Sequence, residues 1–156
     1  MRAVKKPPPA IRPIARNRRA FHDFEIVEQV EAGIVLLGTE VKSLREGKVS
    51  FNDSYARHRD GELFLMELYI PPYANASWGR HEPTRPRKLL LHKRELRQLQ
   101  IKRDQKGMSL IPLELYFSRG YAKLKLGIGK GRKKADKRQA LKRKQDQRSM
   151  ERHLKG

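Results

Sequence analysis

Tyr55-Ala56-Arg57-His58-Arg59-Asp60-Gly61-Glu62-Leu63-Phe64-Leu65-Met66-Glu67-Leu68-Tyr69 decides the fold class of this chain. Asp60-Gly61 tolerates the positive φ angles of a tight hairpin turn, and 55–59 and 62–69 read as the two strands it joins. Pro71-Pro72 ends the second strand. The same signals recur downstream. Ile111, Leu113, Leu115 and Phe117 alternate in 109–117, Ala122, Leu124, Leu126 and Ile128 alternate in 121–128, and Ser118-Arg119-Gly120 joins the two as a short loop.

Upstream, Phe24 and Ile26 alternate with Asp23 and Glu25, which predicts a half-buried strand. Gly33 precedes a short apolar strand, Ile34 to Leu37, closed by Gly38. Val41 and Leu44 give one apolar edge to a short helix over 39–46 that Gly47 stops. A second helix spans 92–106, with His92 at the N-cap, Glu95 three residues on, Leu96 and Leu99 facing inward, and Gly107 at its end. The segment 71–88 has four prolines and no apolar period, so it reads as a long surface loop. Six strands in hairpin-rich order bury their apolar faces most economically by curling. The expected class is mainly β, a six-stranded antiparallel barrel like the oligonucleotide-binding fold, with flanking helices.

Charge is the second constraint. The 156 residues carry a net +20, distributed unevenly: 1–19 hold +7, 130–156 hold +9, and within the body 20–79 are acidic (−5) while 80–106 are basic (+7). A folded body with one positive face between two positive ends calls for a polyanion, because neutralised phosphates release condensed counterions. Three segments follow: a proline-rich basic arm, 1–16, expected to be unstructured; a barrel domain, 17–131; and a basic tail, 132–156. The tail has high helix propensity but no usable apolar stripe, so it is expected to be disordered when free and helical against RNA.

Other classes find little support. There is no cysteine for a disulfide or a thiolate metal site. No run reaches the ~20 apolar residues of a membrane span, and Lys5-Lys6-Pro7-Pro8-Pro9 interrupts any signal-peptide core. A soluble, cytoplasmic monomer without cofactor or metal is expected. Gly129-Lys130-Gly131 lacks the spacing of a nucleotide-binding loop. A ribonuclease built on His22 and His92, or a metal pair of His81 with His92, has no supporting spacing. A ribosomal or general RNA-binding barrel protein is the alternative reading.

The blocks Asn17-Arg18-Arg19-Ala20-x-His22-Asp23-Phe24, Gly38-Thr39-Glu40-Val41-Lys42-Ser43-Leu44-Arg45 and Asp53-Ser54-Tyr55 resemble the SmpB family. So do His81-x-Pro83-x-Arg85-x-Arg87-Lys88-Leu89-Leu90-Leu91-His92, Leu115-Tyr116-Phe117, Gly129-Lys130-Gly131-Arg132-Lys133 and Asp136-Lys137-Arg138. The blocks stand in family order from residue 17 to 138.

The resemblance implies binding of the tRNA-like domain of transfer-messenger RNA (SsrA RNA) and its delivery to stalled ribosomes for trans-translation, with elongation factor Tu in the delivery complex. It implies that the tail probes the small subunit's decoding centre and empty mRNA channel, where it becomes helical. Carried over by position, Glu31, Leu90, His92 and Lys123 resemble RNA-binding residues, and His22, Asp136, Lys137 and Arg138 resemble ribosome-binding ones.

Each has a plainer reading. His92 can simply cap its helix. A carboxylate repels phosphate, so Glu31 suits base or ribose donors or a neighbouring arginine, or a structural pair. Leu90 reads as partly core. Lys123 lies outward with Tyr121 and Lys125 on the last strand, where a phosphate contact with stacking beside it competes with a solvated lysine.

Overall fold

The computed structural model describes residues 11–74 and 81–132. Its strands are β1 (Ile11–Arg16), β2 (Phe24–Ile34), β3 (Tyr55–Arg59), β4 (Glu62–Met66), β5 (Arg87–Leu90), β6 (Ser109–Ser118) and β7 (Tyr121–Gly131). Its helices are α1 (Arg18–Asp23), α2 (Gly38–Arg45) and α3 (Lys93–Lys106). All seven strands form one antiparallel sheet in the order β1-β6-β7-β2-β5-β4-β3. The sheet curls until β3 meets β6, enclosing a core that includes Leu63, Leu65, Leu89, Leu115, Leu124 and Leu126, with Leu44 of α2 and Leu99 of α3 closing it. No helix among the described residues is long and apolar enough to cross a membrane.

The mainly β class with flanking helices holds, but the strand count is seven rather than six. The two expected strands around Phe24 and Ile34 are one: β2 runs unbroken through Gly33. Ile11–Arg16, expected within an unstructured arm, pairs with the free edge of β6, where Pro13 costs little and Ile14 packs on the core. β5 emerges from the end of the expected loop. Residues 1–10 and 133–156, with most of the expected arm and tail, lie outside the described residues.

Turn chemistry behaves as its residues dictate. Asp60 and Gly61 both have positive φ (51° and 78°), as do Arg119 and Gly120 (52° and 79°), so both hairpins close through two-residue turns. Glu67, at φ 60°, ends β4 earlier than expected. In α3 the Glu95 carboxylate accepts from the His92 backbone N–H (3.3 Å), and Gly107 takes the left-handed C-terminal conformation.

Two bulges organise the sheet's faces. Register slips at Val27 in β2 and at Leu113 in β6, so the residues that point inward change parity along each strand. Val30, Ala32 and Ile34 therefore enter the main core, while Phe24 and Ile26 turn to the outer face. There they join Ile111 and Leu113 in a second small core under Ala20 and Phe21 of α1. Ile111 and Leu113 thus leave the face shared by Leu115 and Phe117, unlike the simple alternation expected. Asn17 fixes this cap: its backbone N–H donates to Leu113 O (2.8 Å), its Nδ2 to Pro112 O (2.8 Å), and its Oδ1 accepts from Ala20 N (3.3 Å).

Opposite the β2 bulge a Cβ on Gly129 would lie 2.3 Å from the Glu25 carbonyl oxygen, which is backbone and cannot swing aside. Gly129→Ala is expected to destabilise the fold by about 1–3 kcal/mol, read as a lower denaturant midpoint at unchanged slope.

Candidate nucleic-acid interface

The basic stretch that opens β5 does not all face outward. Arg87 is completely buried. Its Nε and Nη2 donate to Glu40 Oε2 (2.6 and 2.5 Å), Nη2 also donates to Pro83 O (3.0 Å), and Nη1 donates to Leu68 O. Glu40 Oε1 accepts from Arg85 Nη2 (2.5 Å) and from the Leu37 N–H (2.7 Å). Burial pushes the Glu40 carboxyl up, but hydrogen bonds from Arg85, Leu37 and Arg87, with the Arg87 charge, together hold it below the ordinary carboxylate range. His81 is buried alongside, its Nε2 donating to Ile70 O (2.8 Å) and its Nδ1 paired with the Thr39 hydroxyl (2.9 Å). Both ring nitrogens are occupied, so His81 is no metal partner for His92. The segment 81–87 is a structural latch between α2 and β5.

What the latch positions lies just beyond it. Gly33 of β2 pairs with Leu90 of β5 on one side and Lys123 of β7 on the other. A Cβ on Gly33 would sit 3.2 Å from Leu90 Cβ, so the glycine lets the leucine side chain lie across the strand. Glu31, Gly33, Leu90, Leu91, His92, Glu95 and Lys123 line one open concavity of about 320 Å³. The four residues singled out for RNA binding, spread over 93 positions of sequence, therefore share one site.

Leu90 is 52% exposed, so it belongs to the surface and not to the core expected to claim part of it. His92 is exposed at the head of α3. Lys123 is half-buried and makes no ion pair among the described residues. Tyr121, two residues before it on the same face, is 73% exposed, a free ring for stacking.

Glu31 is held by Tyr116, whose hydroxyl donates to Oε2. Burial, then this carboxylate, pushes the Tyr116 phenol well above its usual range, so it stays a donor. Glu31 Oε1 has no partner among the described residues and can accept from a base amine or a ribose hydroxyl. Tyr116 is the contributor missed from sequence. The Leu115-Tyr116-Phe117 block was its signal in the sequence, and the register opposite Lys123 shows what it does.

His22 is elsewhere. It sits on α1, its Nδ1 2.9 Å from Asp23 Oδ1, at the end of β2 remote from Glu31. His22 and His92 thus face no common phosphate. A larger concavity of about 660 Å³ lies at this second end, lined by Asn17, Arg19, Asp53, Arg103 and Arg132 among others. It holds none of the four RNA candidates, and its place beside Arg132 puts it where the chain leaves the sheet. Asp136, Lys137 and Arg138 lie outside the described residues.

The family model for SmpB protein matches residues 14–156. An SsrA-binding protein of Syntrophobacter fumaroxidans is 54% identical over 139 residues, covering 89% of this chain and 86% of that protein. One from Thermus thermophilus is 55% identical over 140 residues, 89% of this chain and 97% of its own length. A solved chain described as "tmRNA-SmpB: a journey to the center of the bacterial ribosome" superposes with a TM-score of 0.66 at 55% identity, covering 81% of this chain and 93% of that one. With the family model matching nearly the whole chain and relatives more than half identical to it, this chain belongs to the SmpB family.

Proposed function

We propose that the concavity of Glu31, Leu90, His92 and Lys123 binds the tRNA-like domain of transfer-messenger RNA, and that the protein carries this RNA to ribosomes stalled without a stop codon. The observation that carries the reading is the convergence of those four residues from three separate segments, β2, the β5–α3 junction and β7, around Gly33. The site mixes an unpaired cation, an exposed leucine and a clamped carboxylate, which suits recognition of RNA shape and ribose rather than charge alone. Its relatives' names, and the solved chain whose description joins tmRNA-SmpB with the bacterial ribosome, support the same reading. The second end, with α1, His22 and the exit of the chain at Arg132, is then the ribosome-facing side, and Asp136, Lys137 and Arg138 act in the decoding centre. Elongation factor Tu joins the complex through the RNA. The protein works by binding and positioning, without catalysis, as a soluble cytoplasmic factor.

Lys123→Ala is expected to weaken binding of the isolated tRNA-like RNA by about 1 kcal/mol or somewhat more, as loss of one charge-assisted contact does. A gel-shift titration against that RNA and an ordinary tRNA checks both affinity and selectivity. Equal binding of the two RNAs would favour a general RNA-binding barrel instead.

A further inference from the structure

Strand register extends the RNA face beyond the concavity. Tyr116, Lys123, Gly33 and Leu90 form one lateral row across β6, β7, β2 and β5. On the far side of β5, Lys88 pairs with Phe64 of β4, and Phe64 pairs with Arg57 of β3; Glu62 pairs with Arg59. Ala56, Leu63, Leu65 and Leu89 point into the core. Their neighbours Arg57, Arg59, Phe64, Lys88 and Leu90 therefore share the outer face with Lys123.

Arg57 and Arg59 are both exposed. Arg57 makes no ion pair among the described residues, and Arg59 comes only to 3.9 Å of Asp60, with both side chains largely in solvent. Glu62 is already taken by Lys88 (2.8 Å). Two residues apart on one strand, Arg57 and Arg59 have backbones about 7 Å apart, which sets their side chains within reach of successive phosphates along an RNA strand.

We propose that the RNA interface continues from Lys123 and Leu90 across β5 and β4 to Arg57 and Arg59, where a second stretch of RNA backbone is held beside Phe64. Around the outside of the curled sheet, β7 to β3 is four strand spacings, an arc of about 19 Å that several nucleotides following the curve would cover. Fixed on a strand, an arginine fork offers two parallel donors to a phosphate, which a mobile lysine does not. Continuity with the first site favours this partner over an acidic protein. The inference rests on reading the concavity as an RNA site.

The test compares the full chain with Arg57→Ala/Arg59→Ala, Arg57→Lys/Arg59→Lys and Lys123→Ala, titrated with the transcribed tRNA-like domain over a range of salt. The alanine pair is expected to weaken binding roughly tenfold. It is also expected to lower the slope of log affinity against log salt by about 1.5, which a purely structural role would not do. The lysine pair should keep the slope. Affinity and slope unchanged in the alanine pair, with Lys123→Ala weakened, would overturn the extension and leave the first site standing. No effect of either would overturn the first site too. Unchanged RNA binding with loss of ribosome or protein association would assign this face to another partner and overturn the proposal. Should the alanine pair fold poorly, crosslinking of the unaltered chain to the same RNA decides: adducts at 57–64 are expected, and their confinement to the concavity would refute it.

Discussion

A chain cut after Arg132 is expected to bind the tRNA-like RNA within a few-fold of the full chain and to lose tagging of stalled nascent chains altogether. The cut keeps all of β7 and the bond from Arg132 N to Asp23 O (2.8 Å), so no core packing is removed. It does remove ten Lys/Arg and three acids, a net +7. Affinity therefore falls modestly and becomes less salt-sensitive. Tagging fails for a different reason. If residues 133–156 order as a helix in an RNA-lined channel, they reach roughly 36 Å, and nothing in the sheet domain can span that distance. Replacing Asp136, Lys137 and Arg138 together by alanine should spare RNA affinity yet impair tagging. Full tagging by the cut chain, on ribosomes with an empty mRNA channel, would reduce the tail to an electrostatic anchor.

Glu40→Ala should cost about 3–5 kcal/mol of stability, because it strands the fully buried Arg87 without its counter-charge. That is a large share of a typical domain's total stability. The pair also makes the fold acid-sensitive. Glu40 has its carboxyl lowered in the folded state, so its contribution is complete above the ordinary carboxylate range and is lost as the pH falls through the lowered value. Denaturant midpoints measured from neutral to acid pH should fall more steeply for the unaltered chain than for Glu40→Gln. Parallel curves would show that the latch carries no acid dependence.

The hairpins, α2 and α3 were legible because local chemistry alone determines them: Asp60-Gly61, Arg119-Gly120, and glycine stops at Gly47 and Gly107. The convergence of Glu31, Leu90, His92 and Lys123 was legible only through family resemblance. Their charges and spacings contain nothing that predicts a shared site. The two bulges were invisible, since Ile111, Leu113, Leu115 and Phe117 look like one face until Leu113 slips the register. β1 was hidden because its composition is that of an arm, and only the unpaired edge of β6 makes it a strand. Arg87 misled for the opposite reason. In sequence it is one cation in a basic cluster, and its burial depends on Glu40, 47 residues away.

The bulge at Val27 also makes β2 a ruler. One unbroken strand carries α1 at its start and Gly33 near its end, roughly 30 Å apart at strand rise. The bulge turns Phe24 and Ile26 outward beneath α1, so α1 and the Gly33 site stand on the same outer face of that strand. Whatever docks at the two ends is therefore held at one fixed offset and one fixed angle, with no joint in between to absorb a mismatch. The protein sets a distance as well as filling two contacts.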